Sequence, residues 1–586
     1  MSSNKYIRDI WVQVMLVAIL AAFGALIGRI VQINLSQGPT LTAKANRQHT
    51  AWRPILAQRG AMYDRRGRLL AGTCLTPSLF ADPSMIRNSV EAASLAGNLV
   101  QKDPITLYQQ LVADPNSQFL WLARDLPQSV ADVFYSIPAK ERRGLDIRRE
   151  PKRIYPAGKL AGHILGAVSI DDRGLEGLEL KYNAVLAGHG GSERFIRDAA
   201  GRRIWLLSDQ YQAARNGQNL ILTIDAVIQE LTEKALEATC TKYKPESGVA
   251  IVMDPTNGEV LAWACWPFVN PNDFGSYPID ARRNRAIIDP FEPGSIFKPF
   301  VAVAALKHKV TRPGERIFCH NGAYTIGGRV LHDHHGYGDL TFEEIVIFSS
   351  NIGMGILGQR MGNDALYEAV TAFGFGKPTG VDLPGENGGI VRPRHTWNDY
   401  STTSIPMGQE VAGTALQLLT AFAGLANAGM VPRPRLVRAV IDDSGQVIHD
   451  NSQPQFIGRA AEPQHARKMI EILARVIAEG TGKRGNVPGY QVFGKTGTAQ
   501  VARSDGRGYK PRAYVASFLG GAPAPAPKLV CLVSIREPDP RVGHFGGTVA
   551  APAVKEILEK TVKYLNIPPV ETGEPAEAIP IRAATE

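Results

Sequence analysis

The most uniform apolar segment of the chain lies near its N-terminus. Residues 10–27 form an apolar run in which Gln13 is the one polar member, and the apolar character continues to Ile33. A helix of this length crosses the hydrocarbon core of a bilayer. We therefore predict a transmembrane anchor over 10–33, preceded by a cytoplasmic stub over 1–9. A cleaved signal peptide is the alternative, although the run is long for one.

Downstream, the patterning changes near residue 216. Residues 34–215 are rich in Arg, Gly and turn signals, whereas the alternating segment that follows predicts a strand, and Asp225 can cap the next helix. Apolar runs on both sides of residues 255–258 (Pro-Thr-Asn-Gly) indicate a hairpin. Three more strand patterns and a closing helix lie near the end, with helical patterns between about 295 and 480. These patterns predict an antiparallel sheet built from both ends of one domain, with a helical insertion.

The same patterns predict the domain boundaries. We expect a first extramembrane domain over 34–215 and a second over 216–565. The segment 566–586 is rich in Pro and Glu and poor in apolar residues, so we expect a mobile tail. The short N-terminal stub favours a single-pass protein of the cell inner (cytoplasmic) membrane, with the bulk of the chain on the extracytoplasmic side.

Charge and cysteine content narrow the function classes. The net charge of +10 favours anionic surroundings such as a membrane surface or a cell wall. Basic runs interleaved with aromatic residues do not occur, so nucleic acid is not an expected partner. The five cysteines are odd in number and lack C-x-x-C spacing, which supports neither a disulfide framework nor a metal site. Buried free thiols are the expected outcome.

Ser295 and Lys298 lie three positions apart in the segment FEPGSIFKPF. On a helix these positions share a face, so the lysine can take the serine proton, provided that its amine is neutral. Neutrality near pH 7 requires burial or a nearby cation. The spacing also occurs by chance, as at Ser2 and Lys5, and Pro299 predicts an irregular or delayed helix start. The pair alone therefore leaves a catalytic and an ordinary structural role open.

Two further segments favour the catalytic interpretation. Residues 349–351 (Ser-Ser-Asn) follow an apolar helical run, and residues 495–498 (Lys-Thr-Gly-Thr) lie on a predicted strand. A K-T-G triplet is expected only about 0.1 times by chance in a chain of this length. The lysine supplies a second cation, and the two threonines share a strand face on which they could grip a carboxylate. Gly497 removes a side chain where a ligand would lie against the strand.

In this order, S-x-x-K, S-x-N and K-T-G resemble the motifs of the penicilloyl-serine transferases. The segments 59–71, 153–166 and 174–188 look like the non-catalytic pedestal, or dimerisation domain, of class B penicillin-binding proteins. These proteins are monofunctional peptidoglycan DD-transpeptidases. The segment NRAIIDPFEPGSIFKP is most similar to their division-type, FtsI-like branch, although the elongation-type paralogue shares most of these motifs.

The resemblance implies a fold as well as an activity. The expected fold class is α+β, a penicillin-binding transpeptidase fold in which helices cover both faces of an antiparallel β-sheet core. An elongated mixed α/β pedestal over 34–215 and one N-terminal transmembrane helix would precede it. The transpeptidase domain would then occupy 216–565.

Five side chains receive catalytic roles through the resemblance: Lys495 of the strand motif and four from the first two motifs. Ser295 would attack the D-Ala-D-Ala carbonyl of a stem peptide and form an acyl-serine. Lys298 would act as its base. Ser349 would relay a proton to the leaving amine, and Asn351 would orient Lys298 and the substrate amide.

The resemblance assigns the remaining roles to the strand motif. Lys495 would set the local electrostatics, while Thr496, Gly497 and Thr498 would bind the substrate. The backbone N–H groups of Ser295 and Thr498 would form the oxyanion hole. Neither a metal nor an organic cofactor is implied.

The implied partners are stem peptides ending in D-Ala-D-Ala, and β-lactam antibiotics, which mimic them. A polytopic membrane glycosyltransferase and other division proteins are also implied, because 34–215 contains no recognisable glycosyltransferase domain. We therefore expect peptide cross-linking during septal cell-wall synthesis. A β-lactamase, a β-lactam sensor and a catalytically silent division scaffold are the alternatives. The first would need a deacylating carboxylate, the second carries several membrane spans, and the third would work without Ser295.

The segment from His332 to Asp339 invites a metal-site hypothesis. It contains three histidines and two aspartates, but their spacing matches no familiar ligand set. A loop that lines the groove between two catalytic motifs is the alternative. The role of the histidines from His332 to His335 stays open at this point.

Overall fold

The structure, a computed structural model, describes residues 3–197, 203–206, 211–326, 329–503, 505 and 507–569. The remainder of the predicted tail, 570–586, lies outside the described residues. Contacts divide the chain into two units, each described by itself. The first consists of Met1–Gln58 with Gly188–Asn216, and the second of Arg59–Ala187 with Gly217–Glu586.

The N-terminal third of the chain combines one long helix with short strands and helices. Its elements are α1 (Ser3–His49), β1 (Thr50–Ile55), β2 (Met62–Tyr63), β3 (Leu69–Ala81), α2 (Ser89–Val100), α3 (Pro104–Ala113), β4 (Leu120–Ala123), α4 (Gln128–Ser136), β5 (Leu145–Ile154), α5 (Gly162–Leu165), α6 (Gly177–Lys181), α7 (Asn183–Leu186), β6 (Gly191–Arg197) and β7 (Arg203–Leu206).

The first unit contains α1 and a three-stranded sheet of order β1-β6-β7. Strands β1 and β6 are antiparallel, with Thr50 opposite Ile196 and Ile55 opposite Gly191. Among the described residues, α1 supplies the one segment long and apolar enough to cross a membrane, Tyr6–Thr42, whose most apolar 18-residue window has a mean hydropathy of 2.5. The predicted anchor over 10–33 falls inside this segment.

The second unit begins with a sheet that carries a helical layer. Strand β3 pairs with β5 along its whole length and with β4 near its end. Leu79 of β3, Leu107 of α3, Phe134 of α4 and Leu145 of β5 are buried together in one apolar cluster.

A buried ion cluster joins the three segments that resemble the pedestal. Glu179 accepts from Arg59 Nε at 2.6 Å and from Arg153 Nε at 2.7 Å, and these side chains are at most 1% exposed. Tyr155 donates its hydroxyl proton to Glu179 at 3.2 Å. Two buried guanidinium groups thus share one carboxylate, which ties three distant stretches of sequence into one core.

The larger, C-terminal part of the chain contains the remaining strands and helices. Its elements are β8 (Asn219–Leu222), α8 (Ala226–Tyr243), β9 (Ser247–Met253), β10 (Val260–Trp266), α9 (Ile279–Arg282), α10 (Arg285–Ile288), α11 (Lys298–Lys307), β11 (Arg316–Phe318), β12 (Ala323–Ile326), β13 (Arg329–His332), β14 (Asp339–Thr341), α12 (Phe342–Ile347), α13 (Asn351–Ala372), β15 (Ile390–Val391), α14 (Ser401–Ser404), β16 (Val411–Ala412), α15 (Ala415–Ala426), β17 (Met430–Pro432), β18 (Val437–Ile441), β19 (Val447–Asp450), β20 (Phe456–Arg459), α16 (Pro463–Ala478), β21 (Phe493–Ala502), β22 (Tyr509–Ala522), β23 (Leu529–Arg536), α17 (Gly546–Val549) and α18 (Ala551–Tyr564).

A five-stranded antiparallel sheet of order β10-β9-β23-β22-β21 forms the centre of this part. Alternate residues of β9 point to opposite faces. Ile251 joins the core that contains α11, α13, α15 and α16, and Val252 joins the core that contains α8 and α18. Helices therefore cover both faces, which explains why all seven residues of β9 are buried. The predicted fold class is confirmed.

Local predictions hold at several elements. Asp225 caps α8 by accepting from the Val227 N–H, and the hairpin around residues 255–258 joins β9 to β10. The insertion predicted as helical over 295–480 contains α11 to α16 but also ten strands of two to five residues, β11 to β20. Strands this short carry too few positions for a period of two to stand out in the sequence. Cys240, Cys265, Cys319 and Cys531 are buried, Cys74 is partly buried, and all five are free.

A second sheet joins the early strands of the second unit to its later strands. Its strands follow the order β19-β18-β8-β2-β3-β4, with β5 paired to β3. Strand β8, directly after the predicted boundary at 216, runs parallel to β2. The two parts of the second unit therefore share one hydrogen-bonded sheet, and the boundary itself stays a prediction.

We predict that Glu179→Ala destabilises the chain by about 3–5 kcal/mol, because it leaves two buried guanidinium groups without their carboxylate. The free energy of unfolding of the detergent-solubilised full chain, from guanidinium titration, is the measurement. Glu237→Ala is the matched control, since the Lys159–Glu237 pair is 48% and 41% exposed. It should cost less than about 1 kcal/mol. Equal losses of unfolding free energy in Glu179→Ala and Glu237→Ala would contradict the stabilising role that we assign to the buried Glu179.

Candidate active site

Ser295 lies in a short turn at the start of α11. The residues Gly294–Phe297 form a single 3-10 turn, and α11 begins at Lys298, so that Pro299 occupies the first turn of the α-helix. A proline is tolerated there because its missing N–H has no intrahelical acceptor. The irregular start predicted from Pro299 is therefore present. Ser295 itself is partly exposed, whereas Lys298 is fully buried.

Lys298 is surrounded by groups from the second motif. Its Nζ donates to the Ser349 carbonyl oxygen at 2.6 Å and to Asn351 Oδ1 at 2.8 Å, and it lies 3.2 Å from Ser349 Oγ. Burial lowers the pKa of Lys298 to about 7, although the carboxylate of Asp333 opposes this shift. A substantial fraction of Lys298 is therefore neutral near pH 7, as a base requires.

Within the described residues, no hydrogen bond joins the Ser295 hydroxyl to Lys298 Nζ. The lysine interacts instead with Ser349 and Asn351. The structure thus brings the lysine of the first motif together with the second motif more tightly than with its own serine. General bases often reach hydrogen-bond geometry with the nucleophile only when substrate is bound.

Ser349 occupies a sharp turn between α12 and α13. Its backbone is left-handed, with φ of +62°, a conformation that few residues other than glycine adopt. This conformation directs its hydroxyl between two cations, 3.2 Å from Lys298 Nζ and 2.9 Å from Lys495 Nζ. A strained serine between two lysines is typical of a functional site.

Lys495 is the second cation of this cluster and is fully buried. The side chain projects from β21 toward Ser349, and its Nζ atom also lies 3.2 Å from the Thr496 carbonyl oxygen. Burial and then the positive charge of Lys298 hold the pKa of Lys495 well below its ordinary value. The predicted second lysine is thus present and adjacent to the first, and burial favours its neutral form.

The two threonines of the strand motif already have partners in the protein. Thr496 Oγ1 lies 2.7 Å from Thr481 Oγ1. Thr498 Oγ1 accepts from the Gly546 N–H at 3.1 Å. Because Thr498 uses a lone pair in this contact, its hydroxyl proton stays available to a carboxylate. Thr481 and Gly546 carry no motif of their own that would have predicted these contacts.

Gly497 has a different neighbour from the one that the sequence suggested. A Cβ at this position would lie 2.8 Å from Ile296 Cγ2 and 3.1 Å from the Pro293 carbonyl oxygen. The absence of a side chain therefore lets the serine turn pack against β21. A Cβ on Gly294 would in turn lie 3.3 Å from the Thr498 carbonyl oxygen. The backbones of Ser295 and Thr498, the two predicted oxyanion donors, thus belong to adjacent segments.

The loop with three histidines supports the second motif. The His332 carbonyl oxygen accepts from Asn351 Nδ2 at 2.9 Å. Asp333 accepts from Ser350 Oγ at 2.6 Å, from the Ile352 N–H at 3.1 Å and from the Asn351 N–H. Among the described residues, no group of three or more potential metal ligands lies close together. Asp333 is the contact that motif spacing missed, because the loop lies far from the motif in sequence.

Taken together, these contacts place a partly exposed serine, a lysine of lowered pKa and a second hydroxyl between two lysines at one end of α11. The hydroxyl of Ser349 can pass a proton between Lys298 and a third group, because it contacts Lys298 directly. Such an arrangement suits acyl transfer through a serine ester.

Two family models match the chain. The penicillin-binding protein transpeptidase domain matches residues 248–559, and the penicillin-binding protein dimerisation domain matches residues 54–222. The first match contains all three motifs, and the second contains the segments joined by the buried Arg–Glu–Arg cluster.

Named relatives match over nearly the whole chain. A probable peptidoglycan D,D-transpeptidase PbpC of Pseudomonas aeruginosa is 34% identical over 93% of both chains. Peptidoglycan D,D-transpeptidase FtsI of Escherichia coli is 31% identical over 96% of this chain and 93% of its own.

Solved structures are similar as well. Penicillin-binding protein 3 of Mycobacterium tuberculosis in complex with ampicillin has a TM-score of 0.69 and 27% identity, over 89% of this chain and 98% of its own. A peptidoglycan synthetase of Bifidobacterium adolescentis has a TM-score of 0.70 and 26% identity, over 91% of this chain and 99% of its own. The chain therefore belongs to the class B penicillin-binding proteins and is a serine-type D,D-transpeptidase.

Proposed function

We propose that this chain cross-links peptidoglycan stem peptides in the septal wall through an acyl intermediate on Ser295. The observation that carries the proposal is the Ser349 hydroxyl held between two buried lysines, next to the turn that bears Ser295. No ordinary packing requirement places two ammonium groups in one buried cluster, because each loses its hydration there.

In the first half-reaction, Ser295 Oγ attacks the carbonyl carbon of the penultimate D-Ala while its proton passes to neutral Lys298. The N–H groups of Ser295 and Thr498 would stabilise the developing oxyanion, and donors of this kind contribute roughly 3 kcal/mol each. The proton then travels from Lys298 through Ser349 Oγ to the leaving nitrogen. The C–N bond breaks, D-Ala leaves, and an ester on Ser295 remains.

In the second half-reaction, an amine of a neighbouring stem peptide attacks the ester carbonyl. The amine proton returns through Ser349 and Lys298 to Ser295 Oγ as the C–O bond breaks. A new amide cross-link forms, and the enzyme regains its starting protonation state. The same groups thus act in opposite directions in the two halves of the reaction.

In this proposal, the strand motif at residues 495–498 binds the substrate carboxylate. The Thr498 hydroxyl has a free proton, and Thr496 lies on the same face of β21. The charge of Lys495 adds to the attraction when the lysine is protonated. Gly497 contributes by letting the serine turn approach the strand. β-Lactams would acylate Ser295 because their ring carboxylate and amide fit the same groups.

The arrangement in the cell follows from the apolar helix and the family. We place the helix in the cytoplasmic membrane as a single-pass anchor with the stub 1–9 on the cytoplasmic side. Residues 34–215 serve as the pedestal, and 216–565 as the transpeptidase domain. A polytopic membrane glycosyltransferase would supply the glycan, and division proteins would recruit the pair to the septum. The similarity to FtsI of Escherichia coli supports the division role over the elongation role.

We predict that a fluorescent penicillin forms a slowly hydrolysed adduct on Ser295 of the solubilised full chain. Intact mass and peptide mapping locate it. Ser295→Ala and Lys298→Ala should both abolish the adduct, since one removes the nucleophile and the other its base. Ser444→Ala, in an exposed turn, should leave labelling unchanged. Rapid release of the adduct would indicate a β-lactamase, and an unlabelled parent chain would favour a silent scaffold.

We predict that the acylation rate rises with pH through about 7, the pKa to which burial lowers Lys298. Below that value the lysine is protonated and cannot accept the serine proton, so the rate should fall about tenfold for each pH unit. The acylation rate of the full chain is measured by stopped flow at pH values from about 5 to about 9. Lys307→Ala, at the exposed end of the same helix, should leave it unchanged. A flat profile would exclude Lys298 as the base.

Depletion of the protein in its host cell distinguishes the division-type branch of the family from the elongation-type branch. If the division assignment holds, depleted cells should continue to elongate and form filaments without septa. Microscopy with a fluorescent D-amino acid reports where cross-linking stops. Round cells with normal septa would instead assign the chain to elongation. Complementation by the Ser295→Ala variant would identify a scaffold.

A further inference from the structure

The start of α13 depends on a carboxylate that belongs to neither motif. Asp333 accepts hydrogen bonds from the Ile352 N–H, the Asn351 N–H and the Ser350 hydroxyl. Ser350 in turn accepts from the Gly353 N–H at 2.9 Å and is only 1% exposed. One side chain therefore binds three consecutive residues that directly follow Ser349.

These contacts fix the partners of Lys298. Asn351 Oδ1 accepts from Lys298 Nζ, and the Asn351 N–H is held by Asp333, so one residue separates the carboxylate from the ammonium. Ser349 supplies the other two contacts of Lys298 from a strained, left-handed backbone. Such a backbone persists only when its surroundings over-determine it. The anchoring of residues 350–352 by Asp333 supplies that constraint on one side of the turn.

Asp333 also adds a charge to the cluster. The groups that face Lys298 are Lys495 from β21, the neutral side chains of Ser349 and Asn351, and the carboxylate of Asp333. Burial favours the neutral amine of Lys298, whereas Asp333 favours the ammonium. The positive charge of Lys298 in turn lowers the pKa of Lys495. Among the described residues, Asp333 is the acidic group that acts on this lysine.

We propose that Asp333 is a positioning residue for the turn Ser349–Asn351 and the counter-charge of the buried Lys298. It touches neither the nucleophile nor the proton path and acts through Asn351. The inference rests on the proposed acylation of Ser295. A purely structural helix cap would share the hydrogen bonds, but it would not change the pH at which the base becomes neutral.

The sign of the charge effect makes the proposal testable. Asp333 raises the pKa of Lys298, so neutralising Asp333 should lower that pKa further. Lys298 would then become neutral at a lower pH. The acid limb of the acylation profile should therefore move toward lower pH, by about one unit for a charge close to the lysine. If Asp333 acted through its hydrogen bonds alone, its loss would lower the acylation rate but would leave the pH midpoint of the profile unchanged.

Four variants of the full chain separate charge from geometry. Asp333→Asn removes the charge, while its amide oxygen can still accept from the two N–H groups and its NH₂ can donate to Ser350. Ser350→Ala removes the hydrogen bond to Asp333 and the acceptor of the Gly353 N–H but keeps the charge. Asp333→Ala removes both. Asp339→Asn removes the same charge from the exposed end of the same loop and serves as the control.

The acylation rate by a penicillin is measured against pH for each variant, with thermal melting to verify folding. We expect a lower midpoint for Asp333→Asn and Asp333→Ala, a slower rate with the parent midpoint for Ser350→Ala, and the parent profile for Asp339→Asn. Should Asp333→Asn not fold, Asp333→Ser, a neutral residue that can still cap the helix, carries the same expectation.

If the pH midpoint of acylation does not move in Asp333→Asn, whatever the rate of that variant, Asp333 is not the counter-charge of Lys298. If the acylation rate is unchanged in Asp333→Ala, Asp333 is not a positioning residue. A shift of equal size in Asp339→Asn would likewise overturn the counter-charge role, because the effect would then be a general field of the loop. Failure of the proposed function gives a different result: the parent chain itself would form no adduct on Ser295.

Discussion

The burial of two lysine ammonium groups against one serine hydroxyl is the constraint around which the catalytic part is arranged. Lys298 and Lys495 are both fully buried and both contact Ser349. A buried ammonium loses its hydration, and a second one nearby repels it. The pair relieves this cost by releasing a proton, which provides the neutral amine that acyl transfer requires. Stability and catalysis thus oppose each other at this point, as is common in active sites.

Three separate pieces of backbone hold that cluster in place. The 3-10 turn before α11 sets Lys298 at the base of the site, strand β21 delivers Lys495, and the left-handed turn at Ser349 brings the hydroxyl between them. Gly497 allows the first two pieces to touch. Because both faces of the five-stranded sheet are covered by helices, β21 has a rigid support. Rigid support of this kind keeps catalytic distances within narrow limits.

The N-terminal part of the second unit also buries two cationic side chains, but it pairs them with a carboxylate. There one buried carboxylate, Glu179, serves two buried arginines that come from distant segments. The shared sheet through β2 and β8 then links this core to the transpeptidase part by backbone hydrogen bonds. A movement of the pedestal would therefore act on the strands that lead into α8. Within the second unit, strands β3, β2 and β8 form one hydrogen-bonded path that ends at the start of α8.

The sequence by itself determined the apolar helix, the central strands and the motif residues, because each depends on local pattern or on residue type at short spacing. It predicted that Ser295, Lys298, Ser349, Asn351 and Lys495 belong together, but only through a family resemblance. The tertiary structure decided how they meet: Lys298 contacts the second motif, Gly497 faces the serine turn, and Thr481 and Gly546 hold the two threonines. It also added Asp333, which lies 17 residues before Ser350. No periodicity encodes such contacts, since they arise only when loops from different parts of the chain converge on one buried charge.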